Sequence, residues 1–225
     1  MTWVKICGTT NLRDADLAVA AGADALGFIF APSPRRIDVA TATEIIRALP
    51  VNVEKIGVFV NETPSRVSEI ATQAGLSGVQ LHGDEPAERL PDFRAALGER
   101  KLIKVLHAGA LLADRHKLEA YLVARFSLDA ILLDSGSCEQ RGGTATAYDW
   151  NEALPIANSI RDTLPLIIAG GLDALNVSRA IELFNPWGVD VVSSVEATPG
   201  QKNETKLRNF IAATRQTAAS TQQGQ

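Results

Sequence analysis

Trp3-Val4-Lys5-Ile6-Cys7-Gly8-Thr9-Thr10-Asn11 begins as a short β-rich run, closes on a thiol, breaks on glycine and ends on a pair able to cap a helix. A strand that stops on a nucleophile or base and turns into a helix is the unit from which parallel α/β proteins are built, and their chemistry sits at that strand end. Working outward, the same unit recurs. Short apolar runs at Val4 to Cys7, Ala25 to Phe30, Lys55 to Val60, Gly78 to Leu81, Leu102 to Leu106, Ala130 to Asp134, Leu166 to Ala169 and Val189 to Ser193 read as strands. Between them lie amphipathic stretches, at Asn11 to Ala21, Val39 to Leu49, Pro64 to Ala74, Pro86 to Leu97, Ala110 to Ala124, Asn151 to Arg161, Ala174 to Phe184 and Lys202 to Thr217. Thr63 before Pro64 and Asp173 before Ala174 supply further capping signals.

Regular alternation implies right-handed crossovers and parallel strands. Repeats of roughly 25 to 30 residues fit a closed (β/α)8 TIM barrel of the α/β class better than an open sheet. No linker interrupts the rhythm, so residues 1–216 are expected to form one domain. Residues 217–225 are small and polar and are expected to fray as a tail.

Composition narrows the function. With 46% hydrophobic and 21% charged residues and a net charge of −4 in 225 residues, the chain reads as an ordinary globular protein without a nucleic-acid footprint. Its apolar runs are too short to span a membrane, and the two cysteines, Cys7 and Cys138, together with a start lacking a signal-peptide pattern, point to the cytoplasm. His82, His107 and His116 have no metal-ligand spacing, so no metal is expected.

Three groupings carry chemistry. Residues two apart on a strand share a face, so Lys5 points the same way as Cys7, one layer deeper, where an ammonium would favour the thiolate. A buried structural cysteine is the competing reading. Asp134 ends the apolar run Ile131-Leu132-Leu133, where burial would raise a carboxyl pKa and suit a general acid; an aspartate that anchors a loop is the alternative. Ala169-Gly170-Gly171-Leu172 and Ser193-Ser194-Val195-Glu196 follow the last two strands, where barrels often hold phosphate on backbone N–H groups. Arg35 and Arg36 after the second strand offer planar cations for a carboxylate, or ordinary surface charge. His82 closes the fourth strand, and the glycine-bearing stretch Arg141 to Trp150 suits a loop over a ligand or a plain surface connection.

These stretches, taken in order, resemble phosphoribosylanthranilate isomerase of tryptophan biosynthesis. The match runs through Val4-Lys5-Ile6-Cys7-Gly8, Gly22 to Phe30, Ser33-Pro34-Arg35, Gly57 to Asn61, Val79-Gln80-Leu81-His82-Gly83, Leu132-Leu133-Asp134, Gly142-Gly143-Thr144 with Tyr148-Asp149-Trp150, Ala169 to Leu172, and Val195-Glu196 with Pro199-Gly200 and Lys202. The resemblance implies an aldose–ketose isomerase that carries out an Amadori rearrangement of a phosphosugar without metal or cofactor. It further implies Asp134 as general acid, Cys7 as general base, Arg35 on the anthranilate carboxylate with Arg36 one residue away, His82 in the substrate site, and phosphate held around Gly170, Gly171, Ser194 and Val195. It leaves a monomer or a homodimer open.

Three departures stand out: Ala145, Ser194 and Asn203 replace the residues usual in the family. Ser194 replaces a glycine and adds a Cβ, a burden if that turn needs φ > 0. The rivals are indoleglycerol-phosphate synthase, the histidine-pathway isomerase, whose acid–base groups differ, and a catalytically silent phosphate-binding barrel.

Overall fold

Alternate side chains on each strand sort into two sets, and the sorting closes the sheet. The computed structural model describes residues 1–134 and 150–222. Strands β1 (Trp3–Ile6), β2 (Ala25–Ile29), β3 (Glu54–Phe59), β4 (Gly78–Leu81), β5 (Lys101–His107), β6 (Ala130–Asp134), β7 (Leu166–Ala169) and β8 (Gly188–Val191) pair in parallel, in chain order. β1 places Lys5 opposite Ala25 of β2 on one side and opposite Asp190 of β8 on the other, which completes a closed barrel. The inward set, including Trp3, Ile56, Ile103, Leu132 and Ile167, forms its own small cluster. The outward set, including Ile6, Leu26, Phe28, Leu81, Leu133 and Val191, joins the larger core under the helices. Each such buried Leu, Ile or Phe contributes about 1.5–3 kcal/mol.

The helices are α1 (Leu12–Ala21), α2 (Val39–Ala48), α3 (Pro64–Ala74), α4 (Leu90–Leu97), α5 (Ala108–Ala113), α6 (His116–Val123), α7 (Trp150–Arg161), α8 (Val177–Phe184) and α9 (Glu204–Gln222). A hairpin of β9 (Glu196–Thr198) and β10 (Gln201–Lys202) separates β8 from α9. Capping follows the sequence at two of the expected sites: Asn11 Oδ1 accepts the Asp14 N–H at 2.9 Å, and Thr63 Oγ1 accepts that of Arg66 at 3.3 Å.

Four boundaries differ from expectation. The stretch from Pro86 opens with a 3-10 turn, Ala87–Arg89, before α4. The single helix expected over Ala110 to Ala124 is two, parted at Asp114, whose extended backbone and Oδ1, accepting the His116 N–H at 3.1 Å, favour a turn over helix. Asp173 does not cap a helix directly. Its Oδ1 accepts the N–H groups of Leu175 and Asn176 in a turn, and α8 starts at Val177. Finally, α9 runs to Gln222, so residues 217–222, expected as tail, continue the helix; Thr217 is buried and its Oγ1 donates to Ala213 O.

Candidate active site

The C-terminal ends of the strands bring the chemistry-bearing residues to one mouth. Cys7 extends β1 by one residue, its N–H donating to Val191 O at 2.9 Å, and the residue is 3% exposed. The neighbouring strand makes room for it: a Cβ on Gly27 would lie 2.5 Å from Cys7 Sγ. Gly8 then turns the chain away at φ 75°, a left-handed value that favours glycine.

Lys5 lies beneath the thiol, as the two-residue spacing predicts, and its charge is divided between the thiol and a carboxylate. Its Nζ is 2.7 Å from Asp190 Oδ1, with both side chains buried inside the barrel. Burial works against the ammonium, and Asp190 together with Cys7 more than restores it, so the Lys5 pKa ends above its ordinary value. Burial pushes the Cys7 thiol up; Lys5 and Lys202 pull it down and Asp190 opposes them, and the net shift is upward. Lys5 thus favours the thiolate, as its place on the strand predicts, but desolvation of the thiol, with Asp190 opposing Lys5, outweighs that pull.

Asp134 closes β6, opposite His107 of β5 and Ala169 of β7 in the strand register. Its Oδ2 is 3.7 Å from His82 Nε2, and the side chains are 17% and 20% exposed. Burial, then the charge of His107, lowers the His82 pKa to about 4, so the ring is neutral near pH 7. Gln80 Nε2 stands 3.1 Å from His82 Nδ1; with the amide donating, the ring proton lies on Nε2 and faces Asp134. The Lys5–Asp190 pair acts on both Cys7 and His82. Thiol and carboxyl thus stand at the same end of the barrel, above one shared ion pair.

The turns after β7 and β8 are joined. Gly170 and Gly171 hold φ 85° and 64°, and a Cβ on Gly171 would meet nothing within 4 Å, so backbone conformation and not space calls for glycine there. Ser194 lies in a 3-10 turn, Ser193–Val195, and is not among the residues with positive φ. The steric burden anticipated for its Cβ does not arise. Its Oγ donates to Leu172 O, tying the two turns together, while Val195 is buried beneath them.

Arg35 is occupied: its Nε and Nη2 make three hydrogen bonds to the Glu196 carboxylate, the shortest 2.7 Å. Burial pushes Glu196 up, but the Arg35 and Lys202 partners hold its carboxyl below the usual range. Arg36, next along the rim, is exposed, and its side chain has no hydrogen bond or ion pair among the described residues. Cys138, Ala145 and the Arg141 to Asp149 part of the expected covering loop lie outside the described residues. Sequence reading missed Gly27, Asp190 and the roles of Glu196 and Lys202. Only Asp190 carried a usable signal, a carboxylate inside an apolar strand that must find a partner.

Known proteins bear on this arrangement. The family model described as N-(5'phosphoribosyl)anthranilate (PRA) isomerase matches residues 4–213. An N-(5'-phosphoribosyl)anthranilate isomerase of Pelobacter propionicus is 43% identical over 218 residues, 96% of this chain and 97% of that one. The crystal structure of phosphoribosyl anthranilate isomerase from Thermotoga maritima superposes with a TM-score of 0.83 at 38% identity, covering 96% of this chain and all of the other. A phosphoribosyl anthranilate isomerase solved with reduced 1-(o-carboxyphenylamino)-1-deoxyribulose 5-phosphate gives 0.80 at 37% identity, with coverage of 96% and 100%.

Proposed function

The chain belongs to the N-(5'-phosphoribosyl)anthranilate isomerase family, and on that premise we propose that it converts N-(5'-phosphoribosyl)anthranilate to 1-(2-carboxyphenylamino)-1-deoxyribulose 5-phosphate in tryptophan biosynthesis. What supports this reading is the placing of Cys7 and Asp134 at the same barrel mouth, across the buried Lys5–Asp190 pair. Asp134 gives its proton to the furanose ring oxygen. The bond from that oxygen to the anomeric carbon breaks, and the anthranilate nitrogen supplies the pair that makes a Schiff base. Cys7, as thiolate, takes the proton from the sugar's C2; the electrons of that bond form the C1–C2 double bond of an enolamine, which tautomerises to the ketone by moving the hydroxyl proton to C1.

The neutral His82 suits this site better than a charged one. It places an N–H beside Asp134 without adding a positive charge to the mouth. The phosphate rests on the amides around Gly170, Gly171, Ser194 and Val195, whose turns the Ser194–Leu172 bond holds in register. For the anthranilate carboxylate, Arg36 is the better assignment than Arg35, because Arg35 is committed to Glu196 while Arg36 is exposed on the rim.

The test is direct. Purified protein given freshly generated phosphoribosylanthranilate removes the anthranilate-type fluorescence as ketose forms. A loss no faster than spontaneous breakdown of the substrate rules the function out.

A further inference from the structure

The base is held by a residue to which neither the sequence nor the family likeness gave a role. Lys202 of β10 is buried, and its Nζ lies 2.6 Å from the carbonyl oxygen of Cys7 and 3.1 Å from Glu196 Oε1. Its own N–H donates to Asp14 Oδ2 of α1 at 2.7 Å. Glu196 also accepts the Gly200 N–H at 3.1 Å, besides the three bonds from Arg35. A lysine 195 residues downstream therefore bolts the end of β1 to the hairpin that follows β8.

The charges around the thiol show what this adds. Within β1 and β8, Lys5 and Asp190 neutralise each other at 2.7 Å. On the β2 side Gly27 offers no side chain, and Arg35 beyond it faces Glu196. Asp14 of α1 meets N–H groups of Lys202 and Asn11. Across the mouth stand the neutral His82 and the acid Asp134. Arg35 and Lys202 share the Glu196 carboxylate, and Lys202 is the member that touches Cys7, at its carbonyl oxygen.

We propose that Lys202 is a positioning residue for the Cys7 base: wedged between the Cys7 carbonyl and the Glu196 carboxylate, it fixes the strand end and adds a second positive charge beside the thiol to that of Lys5, which Asp190 offsets. This rests on the reading of Cys7 as general base. Loss of the charge makes the thiolate harder to form; retention of the charge on a different head group does not.

The experiment follows the ultraviolet absorbance of the Cys7 thiolate against pH, in a Cys138→Ser background so that one thiol reports. Lys202→Gln keeps a donor for the carbonyl and loses the charge, and moves the thiolate midpoint up by about one pH unit. Lys202→Arg stays near the parent, and the acid limb of kcat/KM follows the midpoint in both variants. An unmoved midpoint in Lys202→Gln overturns the proposal, as does an equal shift in Lys202→Arg. Should Lys202→Gln fail to fold, Glu196→Gln keeps the lysine, removes its neutralising carboxylate, and moves the midpoint down; a shift upward or none overturns the proposal. If Cys7→Ser instead keeps full activity, the base assignment falls while the thiolate titration of the parent still reads the effect of Lys202, so the two failures are distinct.

Discussion

The two ends of the barrel use similar parts to opposite purposes. At the N-terminal end the absence of a side chain on Gly188 admits an indole, since a Cβ there would lie 2.7 Å from the Trp3 ring. Trp3 stacks on Trp187 with ring centres 4.8 Å apart, and Lys101 Nζ sits 5.3 and 4.8 Å over the two rings while bonding Glu54 at 2.7 Å. At the C-terminal end the absence of a side chain on Gly27 admits only a thiol. A glycine opposite bulk seals one end; a glycine opposite a small reactive group leaves the other open. The lower end is given over to stacking and cohesion, while the upper keeps its reactive side chains together at the rim.

That contrast breaks if changes at the top act through stability. Cys7→Ser and Asp134→Asn are each expected to lower kcat by about two to four decades with no change in melting temperature. Either variant turning over near the parent rate removes that residue from the mechanism, and a melting temperature that falls with the rate makes it a packing residue instead. The mirror experiment is Trp187→Ala. Loss of a half-exposed stacked indole is worth about 2 kcal/mol, or roughly 4–8 °C in a chain of this size, with kcat unchanged below the melting transition. A fall in kcat in the folded variant would show that the lower end does reach the mouth.

The sequence disclosed the strand ends and left their partners hidden. Eight apolar runs placed the barrel strands within a residue or two, because burial on both faces makes a parallel strand apolar throughout. Cys7 and Asp134 stood out as polar groups ending such runs, each with a structural reading beside the chemical one, and the fold brings both to one mouth. The need for glycine at position 27 was not legible, as it follows from the packing of β2 against the extended end of β1. Lys202 lies even further from Cys7 in sequence, and only the folded hairpin joins them. Lys5 illustrates a different gap: its face and depth followed from spacing, but its net effect on the thiol depended on Asp190, which spacing along β1 says nothing about.

The smallest effect concerns Ser194, where the sequence alone suggests that restoring glycine improves the phosphate turn. The backbone there has no positive φ to relieve, so glycine brings no steric gain. It costs the Oγ bond to Leu172 O and frees the backbone of a turn that the β7 loop depends on for its register. A neutral hydrogen bond of this kind is worth about 0.5–1.5 kcal/mol, so Ser194→Gly raises KM for the phosphosugar by roughly two- to tenfold and leaves kcat alone, since phosphate binding is shared by ground and transition states. Steady-state kinetics on the two proteins decide it: a KM that falls would mean the serine hinders the phosphate, and the upper end would then carry a steric compromise that the lower end lacks.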